Sequence, residues 1–251
     1  MQDYTDSTYG DRIADHYDEW YTDVPLAGDL DAAVSFLRGV AGYEAALELG
    51  IGTGRVALPL KAAGSDVHGI DASEAIVARL RAKPGGTDVP VTIGSFAEFD
   101  LGRRFRLVYV VFNTFFVLAN QEQQVSCFAA VARHLDDRGA FVMEAFVPDL
   151  SRFERGQNVG AVQVGVENVR LDVSTFDPTN QVVHSQHVVL SRGDVRLFPV
   201  RIRFAWPSEL DLMARLAGLR LKDRWSNWDR TAFRGDGAKH VSVWERAPER
   251  S

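Results

Sequence analysis

Three glycines at alternate positions, Gly50, Gly52 and Gly54, follow an acid, Glu48, within the run ALELGIGTGRVALPL. An apolar stretch breaks at the acid, turns through the glycines and resumes with helical spacing. A glycine-rich turn between a strand and a helix lets backbone approach a ligand at the carboxyl end of a sheet. Two cofactor classes compete for such a turn. A dinucleotide lays its pyrophosphate on the helix N-terminus and wants G-x-G-x-x-G. Here the sixth position is Arg55, and Glu48 would repel the phosphates. A cationic sulfonium cofactor has no such conflict, because its α-amino group and positive sulfur favour a carboxylate nearby. A second signal is Asp71, which ends the apolar run DVHGID. A carboxylate at that strand end can accept both hydroxyls of a ribose.

The N-terminal segment adds a second group. Tyr4, Tyr9, Tyr17, Trp20 and Tyr21 stand there among many acids. Aromatic faces attract a sulfonium or an amine, so residues 1–29 read as a lid. In DRIADHYDEWY, Ile13, Tyr17 and Trp20 also share one helical stripe, and packing on the core is the alternative. The candidates for the reacting end of the site are Tyr9, Tyr17, His16 and Phe116. His16 adjoins Tyr17 and is a candidate base, although a histidine on an acidic helix needs no special role. Phe115 and Phe116, just past the fourth strand, either touch substrate or are buried. Glu144, near the end of the fifth strand, is a pocket acid or a buried hydrogen-bonded one.

Other residues carry less. His184 and His187 lie three apart on a strand and point to opposite faces, so they make no metal pair. Asn113, Glu144 and Asp149 are too few convergent ligands for Mg²⁺, and no metal site is expected. Trp225 and Trp228 are expected to pack the insertion against the sheet, and Cys127 to be core.

These residues need a frame. Between 45 and 150 apolar strands alternate with amphipathic helices. Strands are predicted at 45–49, 67–70, 89–94, 105–112 and 139–147, and helices at 30–40, 55–63, 73–81 and 121–135. Ser73 caps the third of these helices. The strands FRLVYVVF and GAFVMEAFV scarcely alternate, as expected when both faces are buried. Strands separated by helices imply an α/β fold with a doubly wound, Rossmann-like, mostly parallel sheet. Between 157 and 206 the pattern changes to alternating runs separated by the turns DPTN and SRGD. This predicts an antiparallel insertion of three or four strands after strand five. A helix at 208–218, capped by Ser208, and two final strands complete the fold. The expected organisation is a lid at 1–29, a cofactor-binding core at 30–150 and 207–251, and an insertion at 151–206. The insertion is expected to form part of the acceptor site and to offer unpaired edges for homo-oligomer formation.

The bulk composition narrows the function. A chain of 251 residues with 46% hydrophobic residues can build a large core. A net charge of −6 without a Lys/Arg cluster argues against a nucleic-acid partner. No apolar run spans a bilayer. The single cysteine excludes a disulfide framework and suits a reducing cytoplasm.

The runs ALELGIGTGRVALPL, VHGIDASEAIVARLR, VTIGSFAEF, FRLVYVVFNTFF and GAFVMEAFVPD resemble those of the class I S-adenosylmethionine-dependent methyltransferases over about residues 30–150. Within that class the chain is similar to actinobacterial natural-product N-methyltransferases of the deoxyaminosugar and lincosamide type. The resemblance implies S-adenosyl-L-methionine as cofactor and S-adenosyl-L-homocysteine as product. It implies that Glu48, Gly50, Gly52, Thr53, Gly54 and Arg55 cradle the methionine part, with Tyr9 and Tyr17 closing over it. Asp71 and Ala72 would hold the ribose, Ser95 and Phe96 flank the adenine, and Phe112 and Asn113 line the cofactor. Relatives often carry an acid at the position of Ser95; here Ser95 or Glu98 would accept the adenine amino bond. Methylases of adenine, cytosine-N4 or glutamine in macromolecules carry a polar-Pro-Pro-aromatic run where this chain has NTFF. A small-molecule acceptor is therefore expected, most simply the amine of an antibiotic precursor such as an N-demethyl lincosamide. An O-methyltransferase is the first alternative, and a non-catalytic cofactor-binding sensor or scaffold the second. The glycine spacing disfavours an NAD-dependent oxidoreductase.

Overall fold

Strand β1 (Ala45–Leu49) is buried at four of its five positions because it lies inside the sheet. The computed structural model describes residues 1, 3–22, 30–235 and 237–248. The end of the predicted lid, residues 23–29, lies outside the described residues. Parallel neighbours flank β1 on both sides: β2 (Asp66–Asp71) and β4 (Phe105–Val110). β3 (Val91–Ile93) continues outward from β2, and β5 (Leu135–Phe146) from β4. Then β11 (Lys239–Arg246) and β10 (Leu219–Trp225) add antiparallel strands, giving the order β10-β11-β5-β4-β1-β2-β3. The winding reverses between β1 and β4, and the crevice at the carboxyl ends of those strands is where this topology holds a ligand.

The helices follow from the predicted periodicity. They are α3 (Leu30–Ala41), α4 (Ala57–Ala62), α5 (Glu74–Arg81), α6 (Gln121–His134) and α7 (Pro207–Leu216). Ser73 caps α5 as expected, its Oγ accepting the Ile76 amide at 3.2 Å. α7 starts one residue earlier than its predicted cap. Pro207 occupies the first turn, where a missing N–H costs nothing, and Trp206 takes the cap position. Cys127 is buried in α6, in the layer containing Phe128, Phe141 and Trp244.

The insertion is a separate four-stranded antiparallel sheet: β6 (Gln157–Val164), β7 (Asn168–Asp177), β8 (Val182–Ser191) and β9 (Asp194–Arg203). Trp225 and Trp228 do not pack it against the main sheet. Both rings stand edge-on to Phe36 of α3, at 5.5 and 5.4 Å.

The N-terminal stripe is not one helix. It breaks into α1 (Thr8–Ile13) and α2 (Tyr17–Thr22). Ile13 is fully buried, so the segment has a core anchor as well as a lid face. Polar contacts fix it from below. Ser73 Oγ donates to Asp11 at 2.6 Å, and Arg79 pairs with Asp15.

Candidate active site

The turn after β1 is held by β2. The Gly50 and Ile51 amides both donate to the Ile70 carbonyl, at 2.8 and 3.0 Å. Gly52 N donates to Asp71 Oδ2 at 2.8 Å, and Ser73 N to Asp71 Oδ1 at 3.0 Å. Gly50 has a φ of +71° and faces the Thr114 side chain so closely that a Cβ would collide with it. Gly54, with φ +76°, likewise abuts Leu80. Gly54 is therefore required for packing the turn on α5, and it does not line the cavity.

The two acids differ. Asp71 lines the cavity, and burial raises its carboxyl above the usual range against the pull of the Ser73 and Gly52 amides. Glu48 is 2% exposed and lies beneath the cavity rather than on its wall. It accepts the Tyr109 hydroxyl at 2.9 Å. Burial pushes its carboxyl up to about 8. Glu48, expected to cradle the methionine part, thus lies under the glycine turn with its carboxyl against Tyr109.

The turn after β4 forms the facing wall. Phe112 and Asn113 both take left-handed backbone conformations, with φ of +54° and +66°. A bulky residue there is strained unless its surroundings hold it. Glu144 Oε2 accepts the Phe112 amide at 3.1 Å, and Asn113 Oδ1 accepts the Phe146 amide at 2.6 Å. Arg55 stacks over the Phe112 ring at 4.4 Å. Glu144 also receives Trp228 Nε1 at 3.2 Å and Lys239 Nζ at 2.9 Å. It is the buried hydrogen-bonded acid of the two expectations, and what it positions is this turn. The 3-10 turn that follows, Thr114–Val117, puts Thr114 and Val117 on the cavity wall and Phe115 and Phe116 in the core. Phe116 is fully buried, edge-on to Phe146 at 4.9 Å, so Phe146 and not Phe116 reaches the cavity.

The N-terminal segment forms the third side. Tyr9, Tyr17 and Tyr21 line the cavity with Tyr4 and Asp6. The Tyr9 and Tyr21 hydroxyls are 2.8 Å apart, and the Tyr17 and Tyr21 rings 4.8 Å. Burial pushes the Tyr9 and Tyr17 phenols well up, so both are neutral hydrogen-bonding groups at ordinary pH. Thr53 does not line the cavity. Its Oγ1 donates to Asp18 at 2.7 Å, and Lys83 pairs with the same carboxylate at 2.8 Å, so Thr53 ties the glycine turn to the lid. His16 is also outside the lining. Its Nε2 lies 2.9 Å from Arg196 Nη1 and its ring rests on Trp20, because α2 turns that face toward the insertion.

Together these walls enclose a cavity of about 290 Å³, near the lower end of ligand-site sizes. Of the residues expected to bind the cofactor, Tyr9, Tyr17, Gly50, Gly52, Arg55, Asp71, Ala72, Ser95, Phe96, Phe112 and Asn113 line it. Ser95 Oγ accepts the Ala97 amide at 3.2 Å, while Glu98 is exposed and off the lining. The insertion was expected to contribute, but its residues at the cavity, His187, Val200 and Ile202, were not singled out for it. The strand alternation around His187 was readable, but which face of the inserted sheet turns inward was not. No group of three or more metal-binding side chains occurs among the described residues.

Known proteins share this architecture. A family model described as a methyltransferase domain matches residues 46–139. The chain is 30% identical to the cypemycin N-terminal methyltransferase of a Streptomyces species over 216 residues, which is 85% of this chain and 87% of that protein. It is 41% identical to the CcbJ methyltransferase of Streptomyces caelestis, with a TM-score of 0.91 over 98% of this chain and 100% of that one. Its fold is also that of S-adenosylmethionine-bound CalS10, an amino pentose methyltransferase of Micromonospora echinaspora, at 21% identity and a TM-score of 0.69 over 92% and 96% of the two chains. The chain belongs to the class I S-adenosylmethionine-dependent methyltransferases of natural-product type, and S-adenosylmethionine is its cofactor.

Proposed function

We propose that this methyltransferase acts on the amine nitrogen of a small natural-product acceptor, with an N-demethyl lincosamide precursor as the specific candidate. The observation that carries the reading is the character of the cavity wall. Four tyrosines of the N-terminal segment and the carboxylates Asp6 and Asp71 face one guanidinium, Arg55. Aromatic faces and carboxylates favour cations, and both a sulfonium and an alkylammonium are cations. The likeness to the cypemycin N-terminal methyltransferase supports nitrogen over oxygen.

The residues present fit the cofactor. Arg55 Nη2 is buried without a hydrogen-bond partner, beside the glycine turn, and would receive the cofactor's carboxylate. Asp71 and Ala72 would take the ribose, Ser95 and Phe96 the adenine, and Phe112 and Asn113 the sulfonium end. S-adenosylmethionine supplies an electrophilic methyl group. The chain's part is to exclude water and hold the nucleophile in line, which supplies up to roughly 7–11 kcal/mol in favourable cases. Tyr9 and Tyr17 orient the acceptor through their neutral hydroxyls.

The inserted sheet completes the acceptor side through Val200 and Ile202. A second cavity of about 580 Å³ shares Phe146 and Ile202 with the first and gives an acceptor's distal part room. The outer face of the insertion exposes Val159, Val164, Val195 and Leu197, an apolar surface suited to a homo-oligomer. No described helix is long and apolar enough to cross a membrane. The lone buried thiol, Cys127, accords with a cytoplasmic setting.

The test is a panel of small amines, phenols and alcohols offered with S-adenosylmethionine, with S-adenosylhomocysteine release as readout. Turnover confined to amines is expected. Turnover confined to phenols or alcohols would overturn the reading.

A further inference from the structure

An alkylamine arrives at neutral pH as an ammonium, which has no lone pair to attack a methyl group. The cavity wall holds one imidazole, that of His187, and it comes from the insertion rather than from the lid or the glycine turn. We infer that His187, which stands beside Asp172, is the catalytic base that removes the acceptor's ammonium proton. This rests on the amine reading above.

The geometry is that of a supported base. Asp172 on β7 lies directly opposite His187 on β8 in the antiparallel ladder, so both side chains share one face. His187 Nδ1 is 3.7 Å from Asp172 Oδ1. That carboxylate oxygen is buried and makes no hydrogen bond. A buried acceptor left open beside an imidazole rewards the ring for becoming a cation. With Nδ1 on the Asp172 side, Nε2 is the nitrogen available to the acceptor. Trp20 of the lid stands edge-on to the His187 ring at 6.2 Å, so the base is in place when the lid is closed.

Charge around the ring is mixed. Arg170 on β7 and Arg196 on β9 share its face. His16 meets Arg196 from the N-terminal segment, and Asp6, Arg55 and Asp71 are the other charged groups of the wall. Burial lowers the His187 imidazole below its ordinary value, with Arg170 acting the same way and Asp172 opposing them. The ring is thereby biased toward its neutral, proton-accepting form.

In the step, an ammonium N–H bond breaks and its proton passes to Nε2, leaving the electron pair on nitrogen. That pair forms the new N–C bond while the C–S bond breaks, its electrons going to sulfur. The product leaves as a protonated, methylated amine, and His187 returns its proton to solvent.

The experiment is a pH profile of kcat/KM with N-demethyllincomycin as acceptor, for wild type, His187→Gln and Asp172→Asn. At pH 7 His187→Gln is expected to lose on the order of 10²-fold or more, with unchanged melting temperature and S-adenosylmethionine affinity. Its rate should recover toward wild type at alkaline pH, where the amine arrives neutral. Asp172→Asn should move the acid limb to lower pH, because the group that favours the imidazolium is gone. Profiles parallel to wild type for both variants would overturn the assignment, as would a loss in His187→Gln that is equal at every pH. Were His187→Gln not to fold, the shift in Asp172→Asn alone decides. If wild type methylates a phenol and no amine, the amine reading fails by itself. The same profiles on the phenol then decide whether His187 takes the acceptor's proton.

Discussion

Asp71 receives the Gly52 amide at 2.8 Å, so the acid that ends β2 fixes the turn that follows β1. One carboxylate thereby shapes the glycine loop and faces the cavity beside it. Asp71→Ala should weaken S-adenosylmethionine binding by about 1.5–3 kcal/mol, the cost of losing hydrogen bonds to a charged group. Calorimetric titration measures it. Affinity equal to wild type would remove Asp71 from the cofactor site.

Thr53 sits in the glycine turn but points to the lid, where its hydroxyl meets Asp18 beside Lys83. Asp18 is about half exposed, so solvent discounts the contact to about 1 kcal/mol. Thr53→Ala should speed S-adenosylhomocysteine release in stopped-flow measurements by roughly fivefold. No change in the release rate would mean that the lid closes without this tie.

Tyr17 lies in the cavity wall with its ring against Tyr21. Tyr17→Phe keeps the ring and removes the hydroxyl, so turnover should fall while the melting temperature holds. A lowered melting temperature with normal turnover of the folded protein would make Tyr17 a packing residue.

Glu48 gives a pH signature. Its folded carboxyl is raised by burial to about 8, above the unfolded value. The stability it contributes is therefore full below the ordinary carboxylate range and is lost as pH rises toward 8. Glu48→Gln should remove that loss, so the variant's melting temperature falls less than wild type between about pH 5 and pH 9. Parallel melting curves across that range would contradict the assignment of a neutral Glu48.

Phe116 illustrates where the sequence stops being legible. NTFF follows a strand whose carboxyl end faces the site, so both rings qualified as substrate contacts. The left-handed Phe112 and Asn113 then rotate the chain, and Phe116 falls behind Phe146. No propensity announces two consecutive left-handed residues of that kind; they depend on Glu144, which is distant in sequence. Phe116→Ala should cost about 3–5 kcal/mol of stability, measured by chemical unfolding. A stable variant that had lost only activity would return Phe116 to the substrate wall.

The parts fixed by local chemistry were readable. The buried strands, the glycine turn, the Ser73 cap and Asp71 each follow from residue types at fixed spacing. The insertion's strands were also visible as alternation. What alternation cannot state is which face turns inward, and so His187 was weighed only as a metal ligand. Thr53, Glu48 and His16 were expected at the cavity, and none of them lines it. Their side-chain directions depend on Asp18, Tyr109 and Arg196, contacts between segments far apart in the chain.

The central claim is transfer of a methyl group to an amine nitrogen. The direct measurement is to incubate the enzyme with methyl-deuterated S-adenosylmethionine and N-demethyllincomycin and to locate the label by fragmentation mass spectrometry. The account predicts one labelled methyl on nitrogen. A label on oxygen, or no label here alongside turnover of phenols or alcohols, would contradict it.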